Sequence, residues 1–127
     1  MSHEIRIIPG HEFIRLDAAG NLDLRTSREL LSDIAAKCVA NQVDRVLIDV
    51  RSGVSDLRPI DLYELALTFP ELGFERQDRL AILHRPGSVE RASLFAANAS
   101  HRGWHVRAFD SFEPAFEWLN EEEAGEA

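Results

Sequence analysis

Residues 46–59 read VLIDVRSGVSDLRP. Val46, Leu47, Ile48 and Val50 make a nearly continuous apolar run. Such a run predicts a strand covered on both faces, as in the parallel sheet of an α/β domain. Asp49 interrupts the run and Arg51 follows it. Ser52, Gly53 and Ser55 then predict a loop from Arg51 to Pro59. The residues alone leave three readings of this junction: the mouth of an active site, a regulatory switch, or a plain connection.

On the C-terminal side, RPIDLYELALTFPELGF (58–74) places Leu62, Leu65, Ala66 and Phe69 at helical spacing. Pro70 is expected to bend or end that helix. RLAILH (79–84) is a second buried strand. SVERASLFAANASHRG (88–103) predicts a helix with Ser88 as N-cap, a buried face of Val89, Ala92, Phe95, Ala96 and Ala99, and Gly103 as the stop. WHVRAF (104–109) alternates like a strand with one wet face. DSFEPAFEWLN (110–120) predicts a closing helix with Phe112, Ala115, Phe116 and Leu119 inward. On the N-terminal side, TSRELLSDIAAKCVANQ (26–42) begins with the capping pair Thr26 and Glu29. Its Leu30, Leu31, Ile34, Ala35 and Cys38 form a buried face. EIRIIPG (4–10) and EFIRLDAAG (12–20) read as a hairpin around Pro9 and Gly10. The resulting order, ββ-α-β-α-β-α-β-α, is that of a single-domain α/β fold with a mixed, mostly parallel sheet and about four helices.

Composition limits the function classes. The chain has 127 residues, 45% hydrophobic and 28% charged, with a formal net charge of -8. One domain over residues 1–120 is expected, followed by an acidic, disordered tail over 121–127. The acidic balance argues against nucleic acid and anionic membrane surfaces. The single Cys38 excludes an intrachain disulfide and a multi-cysteine zinc site, and is expected to be a small core residue. No basic n-region precedes a long apolar run, and no segment approaches the roughly 20 apolar residues of a membrane span. A cytoplasmic protein is the expectation.

Catalytic signatures are missing. There is no GxGxxG, GxxxxGK[ST], GxSxG or HExxH. His101 and His105 are four apart, but Gly103 should end the helix between them, so no metal site is expected. No cofactor is expected. Asp49 remains, because a carboxylate within an apolar strand needs a partner. Arg51 and Arg85, near the ends of neighbouring buried strands, are the candidate partners. They would form either a structural ion pair or, with Ser88, an anion site at the carboxyl edge of the parallel strands. Adding His84 would give an enzyme acting on an anionic substrate, the least supported reading.

VLIDVRSGVSDLRPIDLYELA, RLAILHRPGSVERASLFAANASHRGWHVRAF and the closing EPAFEWLN resemble the STAS superfamily. Within it they are similar to the SpoIIAA-like branch, often called STAS/SEC14 domain proteins. The resemblance implies a small mixed sheet with helices against it and a non-enzymatic module that binds a protein partner. Anti-sigma-factor antagonists of this family bind a kinase and carry a phosphorylatable serine in D-S-[ST]-G. Here the matching loop is DVRSGVSDLRPID, which lacks that motif. The candidate switch and partner loop is therefore Arg51, Ser52, Gly53, Ser55, Asp56 and Arg58. The SEC14-like label implies an alternative, a pocket for a lipid or other small apolar ligand lined by Tyr63, Phe69, Leu72 and Phe74. A homodimer through exposed sheet edges is also an expectation.

Overall fold

The computed structural model describes residues 2–8 and 13–121. Five strands form one sheet: β1 (Ser2–Ile8), β2 (Phe13–Asn21), β3 (Arg45–Val54), β4 (Arg79–Leu83) and β5 (His105–Phe109). They lie side by side in sequence order. β1 runs antiparallel to β2, and the other pairs are parallel. Each parallel crossover carries helix: α1 (Leu24–Asn41), then α2 (Pro59–Leu67) with α3 (Phe69–Leu72), then α4 (Val89–His101). α5 (Phe112–Leu119) follows β5. The helix expected over 58–74 divides at Thr68, where Phe69 and Pro70 start a new short turn of helix, so the described residues hold five α-helices, in keeping with the expected about four.

Strand alternation sorts the core into two layers. Ile14, Leu16, Val46, Ile48, Leu80 and Ile82 face α1 to α4. Leu47, Ala81 and Leu83 face α5 with Ala115, Trp118 and Leu119. Phe69 is fully buried at the centre of the larger layer, with the rings of Phe74, Trp104 and Phe95 at 4.9, 5.3 and 5.8 Å.

Several local expectations shift. α1 starts three residues after Asn21 rather than at Thr26, because Asp23 caps it and accepts the Thr26 N–H at 2.8 Å. That bond holds the Asp23 carboxyl below its ordinary range. Val89 is exposed, since the short turn Pro86–Ser88 lifts the first residue of α4 off the sheet. Phe112 is also exposed, and Trp118 takes the inward place. Gly103 does end α4, at φ +93°, and Trp104 N–H closes back on Ala99 O at 3.1 Å. The tail 122–127 lies outside the described residues.

A buried cation anchors α5. Arg79, on β4, donates Nη1 to the carbonyls of Trp118 at 2.8 Å and Glu121 at 2.9 Å. Its guanidinium also lies 5.7 Å from the Trp118 ring. A positive charge at a helix C-terminus satisfies carbonyls that have no helical partner. Arg79→Met is expected to lower stability by about 1.5–2 kcal/mol, because charge-assisted hydrogen bonds to buried carbonyls are lost. Urea unfolding monitored by Trp fluorescence measures it; a change within error would mean that the cap contributes nothing.

Candidate functional site

The site lies at the carboxyl edge of β3 and β4. β3 is longer than its turn residues suggested. Asp17 pairs with Asp49, but Ala19 pairs with Ser52, so β3 carries an extra residue and bulges there. Beyond the bulge, Ser52, Gly53 and Val54 remain paired with β2. Ser52 and Gly53 are therefore strand residues, not turn residues. Gly53 is required by close approach: a Cβ would sit 2.5 Å from Leu22 Cδ1. The loop proper is Ser55 to Arg58.

That loop is tied down at both ends. Ser55 Oγ accepts the Leu57 N–H at 3.3 Å. Asp61 accepts the Arg58 backbone N–H at 2.9 Å and its Nε at 3.2 Å, which caps α2. The Arg58 side chain and N–H hold the Asp61 carboxyl below its ordinary range. Ser52, Asp56 and Arg58 are exposed. Two arginines at the start of α4 clasp the loop from the other side. Arg85 Nη2 donates to Gly53 O at 3.3 Å, and Arg91 Nε donates to Leu57 O at 3.0 Å. Arg91 was not among the residues singled out from sequence, although it stands directly beside the predicted apolar positions Ala92 and Phe95.

Asp49 is buried and has partners, one of them unforeseen. Arg51 reaches it through Nε at 3.0 Å and Nη2 at 2.8 Å, and the Arg51 N–H donates to Oδ1 at 3.0 Å. Arg15 Nη2, from β2, reaches Oδ2 at 2.7 Å. Arg85 does not join them. Burial alone would raise the Asp49 pKa. The Arg51 hydrogen bonds and the charges of Arg51 and Arg15 outweigh it, and the net shift is downward. Arg15 also meets Asp17, which Arg6 reaches at 2.6 Å. The result is a charged chain, Arg6–Asp17–Arg15–Asp49–Arg51, on the α5 side of the sheet.

His84 is on the other side. It continues the alternation of Ile82 and lines a cavity together with Ile48. Asp49 and His84 thus face opposite sides of the sheet, and the acid–base pairing of Asp49, Arg51, Arg85 and His84 is overturned. Arg51 and Arg58 are each engaged by an aspartate. The Ser88 side chain lies outside what the structure describes.

The cavity measures about 200 Å³ and lies between α1, α2, α4 and the sheet. Leu62 and Leu65 of α2 line it, with Leu30, Ile34 and Phe95, and Ser55, Arg85 and Arg91 stand among its polar residues. The four residues expected to line a pocket do not do so here. Phe69 and Phe74 stack in the core, Leu72 packs partly buried against it, and Tyr63 faces outward with its hydroxyl accepting from Arg102 Nη2 at 2.8 Å. Phe69 and Phe74 turn inward because α3 breaks away from α2 at Thr68. A second, polar hollow of about 780 Å³ lies at the opposite edge, beside Asp44, Glu75 and Asp78. Cys38 borders it, and burial pushes its thiol up to about 12, with the Asp78 and Asp44 charges adding to the shift. It is a core residue. Among the described residues no cluster of His, Cys, Asp or Glu is arranged to hold a metal, and no helix is long and apolar enough to cross a membrane.

No protein-family model matches the chain, and no curated protein matches it. Solved structures do. An anti-sigma factor antagonist from Mycobacterium paratuberculosis superposes with a TM-score of 0.62 at 12% identity, covering 94% of this chain and 96% of that one. An uncharacterized DUF3478 protein with a SpoIIAA-like fold from Shewanella loihica gives 0.57 at 19% identity, covering 92% and 93%. The anti-sigma factor antagonist SpoIIAA in its unphosphorylated form gives 0.55 at 14% identity, covering 95% and 100%. The mixed five-stranded sheet, its helical crossovers and these near-complete superpositions establish that the chain has the STAS/SpoIIAA-like fold.

Proposed function

We propose that the chain is a non-enzymatic, cytoplasmic regulatory module that docks a protein partner through α2 and the loop before it, in the manner of an anti-sigma factor antagonist. One observation carries this reading. Ile60, Tyr63 and Leu67 occupy one outward face of α2 at i, i+3 and i+7, and are 56%, 41% and 41% exposed. Val54, at the end of β3, is exposed beside the loop. Three exposed apolar side chains on one face of one helix, with Val54 beside them, make a contiguous apolar stripe of the kind that docks a partner. The fold likeness to proteins described as anti-sigma factor antagonists, one of them also described in a phosphorylated form, supports the same reading.

Of the two serines in the switch region, Ser55 suits modification better. It heads the loop, whereas Ser52 is held in β3. A phosphate at Ser55 would add charge beside Arg85 and Arg91 and order the loop. A second copy would pair through the sheet edges, β1 and β5.

The test is affinity capture from the native host with the wild-type chain and with Ile60→Asp/Leu67→Asp, followed by mass spectrometry. Recovery of one defined protein by the wild type, and its loss in the double variant, is expected. No specific protein recovered, or equal recovery by both chains, would defeat the proposal.

A further inference from the structure

The geometry points to a binding site for a small amphipathic anion, a carboxylate with a medium-length apolar tail, in the cavity behind the Ser55–Arg58 loop. This goes beyond partner docking and needs no partner. Three observations meet there. The first is the void itself, about 200 Å³, lined by Leu30, Ile34, Leu62, Leu65 and Phe95. The pocket opens to solvent, and its volume compares with the roughly 150 Å³ of an apolar cavity that takes up benzene.

The second is His84. It is only 2% exposed and lines the cavity. Its Nδ1 lies 2.7 Å from Arg85 O. A carbonyl only accepts, so Nδ1 carries a proton. Nε2 has no partner among the described residues. No buried side-chain nitrogen or oxygen is left unpaired among the described residues, so this Nε2 is open to solvent at the pocket wall, where a ligand's head group would take the solvent's place.

The third is charge. Arg85 gives one nitrogen to the Gly53 carbonyl at the end of β3, and Arg91 gives one to the Leu57 carbonyl of the loop. A guanidinium has five donors in a planar fork, so both keep N–H groups for a carboxylate. Neither has a carboxylate partner among the described residues, and no acidic side chain lines the cavity. In a chain of net charge -8, two uncompensated arginines at an apolar cavity select an anion with a greasy tail.

The experiment is an NMR titration of the ¹⁵N-labelled full chain with octanoate, with acetate as the head group alone and octan-1-ol as the tail alone. Octanoate is expected to shift the amides of Gly53, Leu57, His84 and Ala92 saturably, with a dissociation constant at or below about 1 mM. Acetate and octanol should each bind about tenfold more weakly or less. Arg85→Gln, at an exposed position, should weaken octanoate about tenfold and leave octanol unchanged. Ala92→Leu should fill the cavity and abolish binding, with a native-like spectrum showing that the chain still folds. No saturable shift up to about 10 mM octanoate would overturn the site. Equal binding of octanol, or an Arg85→Gln variant that binds octanoate like the wild type, would overturn the anionic class. Unchanged binding in a folded Ala92→Leu would place the ligand on the surface and overturn the cavity.

Discussion

Phe69→Ala is expected to lower the unfolding free energy by about 3–5 kcal/mol, the range for emptying a fully buried aromatic position. The ring is wholly inaccessible and touches three other aromatic rings contributed by the α3–β4 connection, α4 and the start of β5. Its loss removes the transfer energy of the ring and also leaves a cavity, because Phe74, Phe95 and Trp104 are each held on separate elements and cannot close the gap together. A small domain has only about 5–15 kcal/mol in total, so the variant should unfold roughly 10 °C lower or more. Urea denaturation read by Trp fluorescence decides it. A loss below about 1 kcal/mol would mean that the aromatic cluster repacks freely and does not define the core.

Asp49→Ala is expected to cost about 2–3 kcal/mol at pH 7. Removing one partner from a buried ion pair strands the others, at about 3–5 kcal/mol when the pair is fully buried. The figure here is lower because the Arg51 side chain is 44% exposed and can turn to water. Arg15, at 19%, loses its 2.7 Å partner and keeps only Asp17. The Arg51 N–H at the bulge also loses its acceptor. The pH dependence has a fixed sign. The native pKa of Asp49 lies below its unfolded value, which is near 3.9. The charge therefore stabilises the fold fully above about pH 4 and loses that effect as the pH falls through the lowered native value. Wild type and Asp49→Ala should differ at neutral pH and approach each other in acid. A difference that is the same at pH 7 and pH 2 would show that the ion pairs contribute nothing and that only packing was lost.

The aspartate shows where local reading stops. An acid inside an apolar strand announces that it has a partner, and Arg51, two residues on, is found by the alternation of a strand. Arg15 is 34 residues away, and its approach depends on β2 lying beside β3 in a specific register. The bulge between Asp17 and Ala19 belongs to the same class. A bulge is a property of two strands together, and Ser-Gly has the composition of a turn until the neighbouring strand supplies hydrogen bonds. Gly53 is there for Leu22, a residue 31 positions away in the chain, and not for a turn.

The sequence by itself determined the order of strands and helices, the buried face of α1, the interruption at Pro70, the stop at Gly103 and the core place of Cys38. Each is set by spacing, by a missing N–H or Cβ, or by the sum of apolar residues over a few turns, and these are local quantities. Only the tertiary structure decided which side of the sheet each polar group occupies. It put Asp49 under α5 and His84 in the cavity, paired Arg79 with the end of α5, and set Arg91 beside Arg85. Those outcomes depend on which face each crossover covers and on strand register, where a slip of one residue moves every side chain to the opposite side.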